Sequence, residues 1–460
     1  MSDSSEAESR KSDPAQRRSA LEAFARALRR EAHNLQQRPD LLWPQMYNRL
    51  QWEDEPLPGV LAPELDIRSA PGAAPWLRTR TRFRESEALI RTLAGHIGGV
   101  RACAISPDSS FIVSAEVPCP GVDYQPLKIW DAATGKERVT LTGHTAAVDA
   151  CAISPDSSFV VSASNDWTLK IWDAATGKRR ATLTSHTSTV SACAISPNGS
   201  FIVSGSYDTS LKVWDARTRT MRFTLAAPAG VKSCAISPDS SWILSASWDG
   251  TLTIWDAKTG AERATLQGHR GAVRTCTISP DGTFIVSASD DRTLKVWDAK
   301  TGAERLTLRG HTNGVKACAV SPDGAFIVSA SWDRALKVWE AETGQERATL
   351  PFPGGVTSIA LHTSRPFAAC GDIAGGVYLV ELGGIQYGPI VVTAVDFGQG
   401  PTVRCPACLQ HLPLEEGWLG QEIACSRPGC DGRMRVNPFV TVVRRLPPRR
   451  RRWWQFWRHR

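Results

Sequence analysis

The sequence predicts an all-β protein: a seven-bladed β-propeller of four-stranded blades, with an N-terminal helical segment and a small cysteine-containing module after the ring. Three observations predict it. A Trp-Asp pair recurs at Trp130/Asp131, Trp172/Asp173, Trp214/Asp215, Trp255/Asp256 and Trp297/Asp298, then as Trp339/Glu340, at spacings of 42, 42, 41, 42 and 42 residues. A decayed copy over 375–382 puts Val380/Glu381 in the same slot 41 residues further on, which makes seven units. Each unit holds four strand-length apolar runs separated by turn residues. A fixed period of roughly 40–45 residues with this punctuation belongs to stacked four-stranded blades, since one such sheet cannot bury both faces alone.

The chain begins with a polar stretch, 1–12, that has nothing apolar to bury and reads as disordered. A helical segment is expected over 13–52. Asp13-Pro14 supplies an N-cap and a first-turn proline, and Leu21, Phe24, Leu28, Ala32 and Leu35 follow at helical spacing. A second helix would present Leu42, Trp43, Met46, Tyr47 and Leu50. Residues 53–86, rich in Pro, Gly, Arg and Ala, read as a linker. The propeller is expected over 87–382.

The unit around Asp291 shows why it folds. Residues 273–278 and 284–287 alternate small and apolar side chains, and 293–297 and 303–308 complete four strands. Pro280-Asp281-Gly282, Asp290-Asp291 and Thr301-Gly302 lie between them as turns. The run 87–93 copies the strand that ends every other unit, yet precedes the first, so it is expected to complete the last blade. Residues 388–397 are also strand-like and compete for that slot. The first unit carries an insertion over about 116–125.

These residues resemble the WD-repeat β-propeller family, over about 89–382. The resemblance implies a buried network of His, Ser, Asp and Trp in each blade. It maps onto His144, Ser162, Asp166 and Trp172, and onto His186, Ser204, Asp208 and Trp214. It maps again onto His269, Ser287, Asp291 and Trp297, and onto His311, Ser329, Asp333 and Trp339. The fourth unit has Ser245, Asp249 and Trp255, with Ala227-Pro228-Ala229 where the His should be. The first has His96 and Trp130, with Asp123 approximately placed. A catalytic set would occur once; this one repeats, so its role is structural and no enzyme activity is expected. The helical pair resembles the linker before propellers in some bacterial signalling ATPases, but the chain has no Gly-x4-Gly-Lys-Ser/Thr phosphate loop.

In WD-repeat propellers, partners often bind the face bearing the loops between second and third strands. The residue before each network Asp is exposed there: Asn165, Tyr207, Trp248, Asp290 and Trp332. A second set follows the Val that opens each inner strand, and includes Arg101, Lys232, Arg274 and Lys316. Tyr207, Trp248 and Trp332 with these four cations suit an acidic or phosphorylated peptide. The alternative is that the rings and cations simply stack on one another.

Twelve cysteines fall into distinct sets. Six occupy one repeat position, Cys103, Cys151, Cys193, Cys234, Cys276 and Cys318, where Cys acts as a small buried hydrophobe. So many free thiols point to a reducing cytoplasm. The polar amino terminus has no apolar run, so no signal peptide is expected, and no run of 18 apolar residues occurs in the sequence. Within 383–443, Cys405, Cys408, Cys425 and Cys430 have Cys-x2-Cys…Cys-x4-Cys spacing, that of a four-cysteine zinc ribbon. Structural Zn(II) is expected, with His411 as a possible substitute ligand.

The net charge of +8 equals the eight arginines of 444–460, a tail without acids. There Arg449, Arg450, Arg451 and Arg452 precede Trp453, Trp454 and Trp457. Basic residues with interfacial aromatics suit an anionic membrane surface. The same composition suits nucleic acid, or packing back on the protein. The sequence therefore reads as a non-enzymatic protein-interaction scaffold. Its propeller face binds a partner, its ribbon is a second interaction module, and its tail attaches peripherally to a membrane. The rival is a nucleic-acid-binding protein that uses ribbon and tail.

Overall fold

The structure, a computed structural model, describes residues 89–93, 95–96, 98–117, 127–352, 354–382, 387–396, 400–408 and 410–442. The expected helical pair of 13–52, the linker 53–86, most of the insertion with Asp123, and the tail with Arg449 to Arg452, Trp453, Trp454 and Trp457 lie outside the described residues. Every described element is a strand, and these form seven four-stranded antiparallel sheets and one five-stranded sheet.

One sheet stands for the repeat. Val315–Val320, Phe326–Ser331, Ala335–Glu340 and Glu346–Pro351 pair in chain order. The second strand, FIVSAS, is buried along nearly its whole length, because neighbouring sheets cover both of its faces. The fourth strand, ERATLP, is mostly exposed at the rim. Trp339 pairs with Ile327 and is fully buried. The turn after the first strand is closed by Asp323, which accepts hydrogen bonds from Ser321 Oγ and Ala325 N, and Gly324 takes the positive φ of 77° that the turn requires.

The first strand of each sheet lies beside the first strand of the next, and that of the seventh sheet meets that of the first. The ring thus closes, and Leu93, Val100, Ile112, Trp130, Ala369 and Val377 form one core cluster across the junction. Leu89–Leu93 completes the seventh sheet by pairing with Val377–Glu381, so the strand that precedes the first unit closes the last. Closure seals the ring between its first and seventh sheets, and the only sheet edges it leaves at the rim are the short outer strands. The arrangement is consistent with a β-propeller.

The competing run belongs elsewhere. It forms Ile390–Asp396, which pairs in parallel with Arg433–Val442 in the five-stranded sheet. Pro401–Arg404, His411–Pro413 and Glu422–Ala424 complete that sheet.

Candidate functional site

The buried networks come first, because they hold the turns in place. In the sixth sheet, Trp339 Nε1 donates to Ser329 Oγ (2.8 Å), Ser329 Oγ lies 2.7 Å from His311 Nε2, and His311 Nδ1 lies 2.7 Å from Asp333 Oδ2. Burial lowers the pKa of His311 against the pull of Asp333, so the ring is neutral at pH 7. A neutral ring beside a carboxylate must carry its proton on Nδ1, which leaves Nε2 to accept from Ser329. The second, third and fifth sheets repeat the arrangement at Ser162, Ser204 and Ser287.

Three sheets depart from it. In the first, the acid seen beside the ring is Glu116, and Asp123 is outside the described residues: His96 Nδ1 lies 2.7 Å from Glu116 Oε2, while His96 Nε2 reaches Ser114. Glu116 ends its strand, and its longer side chain spans the gap that Asp bridges elsewhere. In the fourth, Ser245 keeps Trp255 (2.9 Å) but has no His. In the seventh, Tyr378 OH donates to Asp372 (3.0 Å) in place of the lost set.

Each network Asp pins a turn between second and third strands, and these turns share one end of the ring with the starts of the first strands. Trp248 N donates to Gly230 O (3.0 Å) and Trp332 N to Gly314 O (3.2 Å). The indole packs closely on Gly230, where a Cβ would lie 3.1 Å from Trp248 Cδ1. The resulting surface brings most of the predicted residues together. Lys232 Nζ lies 4.2 Å from the Tyr207 ring centroid and 4.6 Å from that of Trp248, and the two rings meet edge to face at 6.1 Å. The Arg274 guanidinium lies 4.5 Å from the Trp248 centroid, and Lys316 Nζ 3.6 Å from that of Trp332. Asp290 joins the two halves: Arg274 Nε and Lys316 Nζ each donate to it at 2.7 Å. Arg101 pairs with Asp149 instead and touches none of these rings.

Trp248 is 43% and Trp332 49% exposed. Two further exposed apolar residues share these turns and were missed by the sequence reading, Trp167 (54%) and Ile373 (57%). Trp167 has φ 67°, a left-handed conformation that is uncommon for a bulky residue. The same slot is left-handed at Thr209, Gly250, Arg292, Arg334 and Gly375, so only the size of its side chain sets Trp167 apart.

The cysteine module is the second candidate. The four Sγ atoms of Cys405, Cys408, Cys425 and Cys430 all lie within 4.8 Å of one another. Cys405 and Cys430 are 3.7 Å apart, and Cys408 and Cys425 3.9 Å. Four thiolates around a tetrahedral Zn(II) at about 2.3 Å stand roughly 3.8 Å apart, so this geometry is able to bind a metal ion. Two tight turns present them: Cys405 N donates to Gln410 O and Cys425 N to Gly432 O. Gly432 is required, because a Cβ there would stand 2.8 Å from Cys405 Sγ. His411 lies on an edge strand, 3.3 Å from Thr402 Oγ1, and is not part of the cluster.

The module sits on the ring at the end opposite Trp248. Val391 N donates to Pro322 O (2.9 Å), Gly388 N to Asp323 (2.7 Å) and Asn437 Nδ2 to Pro280 O (3.0 Å). Arg404 Nη1 reaches Pro107 O (3.4 Å), and Arg435 faces Asp281 (3.7 Å). All five contacts fall on Ser-Pro-Asp turns, those of the first, fifth and sixth sheets.

Comparison with known families agrees with this geometry. The family model "WD domain, G-beta repeat" matches residues 87–119, 135–173, 177–215, 219–256, 260–298 and 302–340. From the second match onward, each spans the outer strand of one sheet and the first three strands of the next. No curated protein matches the sequence. The six matches support placing the chain in the WD-repeat family.

Proposed function

We propose that this chain is a non-enzymatic interaction scaffold built on a seven-bladed propeller, whose turn face binds a protein or peptide partner. WD repeats suggest a protein-interaction role in general. The observation that favours this face is the unbroken run Tyr207, Lys232, Trp248, Arg274, Asp290, Lys316 and Trp332. Exposed aromatics beside cations are binding anchors, and an isolated ring would gain nothing from exposing them. The test is capture from cell extract by the full chain and by the Trp248→Ala/Trp332→Ala variant. Loss of a defined set of proteins in a variant with unchanged folding supports the reading; an unchanged set removes this face from it.

In this reading Cys405, Cys408, Cys425 and Cys430 hold a structural Zn(II), which leaves no open coordination position. The module's outward side is a second interaction surface. The unpaired ring thiols suit a reducing cytoplasm. The tail attaches the scaffold to an anionic membrane surface, supported by three tryptophans beside its arginines. Binding to anionic liposomes that is lost on truncation after Val443 supports that role. Salt-steep binding to DNA or RNA by the same tail favours the nucleic-acid reading instead.

A further inference from the structure

The cations over the turn-face indoles outnumber the carboxylates that pair with them. Arg101 is neutralised by Asp149. Arg274 and Lys316 share a single carboxylate, Asp290. Lys232 has no carboxylate within ion-pair distance among the described residues; its ammonium is held only by the Tyr207 and Trp248 rings. Arg274 lies against the same indole, so two cations crowd one Trp. Over Trp248 and Trp332, three cations thus have one ion-paired carboxylate among them, two positive charges more than their salt bridges neutralise, in a half-buried site.

Like charges held this close repel, and partial burial removes the water that would screen them. Cation–ring contacts offset some of that cost, at about 0.5–2 kcal/mol each. They do not neutralise the charge. A bound anion would. A carboxylate would cancel half of the excess, whereas a phosphoryl group brings about −1.5 to −2 charges at pH 7 and three acceptor oxygens. Arg presents a planar fork suited to such an oxygen set, and Lys a point charge beside it.

We propose that Lys232 and Arg274, over Trp248, form a seat for the phosphoryl group of a phosphorylated peptide, with Asp290 as its built-in competitor. Asp290 already occupies Arg274 and Lys316 as a ligand carboxylate would. The peptide's flanking residues lie on Tyr207 and Trp332. This rests on the reading of the turn face as the partner site, and it adds the chemistry that the face selects.

The test uses the full chain and fluorescein-labelled degenerate peptide pools with a fixed central phosphoserine, serine or glutamate, read by anisotropy. The phosphoserine pool is expected to bind about tenfold or more tighter than the glutamate pool, and inorganic phosphate should displace it. Lys232→Met keeps the apolar stem between the rings and removes the charge; it should weaken phosphoserine binding by about tenfold, and Lys232→Arg should restore most of it. Asp290→Asn removes the competitor and should tighten binding several-fold. Unchanged thermal melts show that each variant folds. If the serine pool binds equally well and Trp248→Ala/Trp332→Ala abolishes it, the partner face stands and the phosphoryl seat is wrong. If phosphoserine binding ignores both Lys232→Met and the double Trp variant, the anion binds elsewhere and both readings fall. Absence of binding by every pool also overturns both.

Discussion

Ser329→Ala tests whether the buried network holds its sheet. Ser329 Oγ accepts the Trp339 indole proton and donates to His311 Nε2. Its removal leaves one donor and one acceptor buried without partners, at about 1–3 kcal/mol each, so roughly 2–6 kcal/mol in total. The fourth sheet is an internal control. Ser245 has the indole of Trp255 and no His, so Ser245→Ala strands only the one donor and should cost about 1–3 kcal/mol. Sheets in a ring need not unfold together, so a single global melt is the wrong assay. Hydrogen exchange followed by mass spectrometry reads each sheet separately. Peptides covering 326–340 in Ser329→Ala should exchange roughly 10-fold or more faster relative to wild type than those covering 242–256 do in Ser245→Ala. Equal acceleration in the two sheets, or a larger effect at Ser245, would refute the argument that the imidazole bridge adds stability.

Chelation should release the cysteine module, since its core cluster is small and two of its seven buried members are the ligands Cys405 and Cys425. Its contacts bridge the first, fifth and sixth sheets past the seventh, so exchange in 356–381 should also rise while 148–266 stays protected; uniform exchange with and without metal would contradict this. Phosphoserine affinity should peak near neutral pH. Burial, then the neighbouring Arg274, press the Lys232 pKa down to about 8, with Arg101 adding to the depression and Asp149 and Asp290 opposing it. The cation is therefore lost as pH rises through about 8, and the phosphoryl group loses its second charge below about 6. A flat profile from pH 6 to 9 would remove Lys232 from the seat. Trp167→Gly should relieve left-handed strain and raise the stability of the second sheet by about 1 kcal/mol, measured by exchange of peptides covering 159–173. A loss of stability would show that the indole packs on the ring.

Much of the fold was legible because it is periodic. The strand ends at Asp298 and Glu340, the turns at Pro280-Asp281-Gly282, and four of the networks recur at one spacing, so each copy confirms the others. The cysteine spacing was likewise readable, since metal geometry constrains ligand pairs separated by two to four intervening residues. His411 fell out because its strand register, not its distance along the chain, sets its position. Glu116 was invisible for a related reason: whether Asp or Glu reaches His96 depends on the path of the turn. Trp167 shares its slot with Thr209, Arg292 and Arg334 as well as with two glycines, so residue type carried no warning of its exposure.

The sequence by itself determined the strands, the order in which they pair within a sheet, the positions of Tyr207, Trp248 and Trp332 on one end of the ring, and the four thiols as a group. These follow from alternation and turn chemistry among residues close in the chain. Only the tertiary structure decided that Leu89–Leu93 and not Ile390–Asp396 closes the seventh sheet, that Asp290 serves both Arg274 and Lys316 while Lys232 goes without, and that the cysteine module rests on the turns opposite the aromatic face. Those choices are made between residues separated by tens to hundreds of positions. No repeat spacing relates them, and shape and charge complementarity select among partners that the local sequence treats alike.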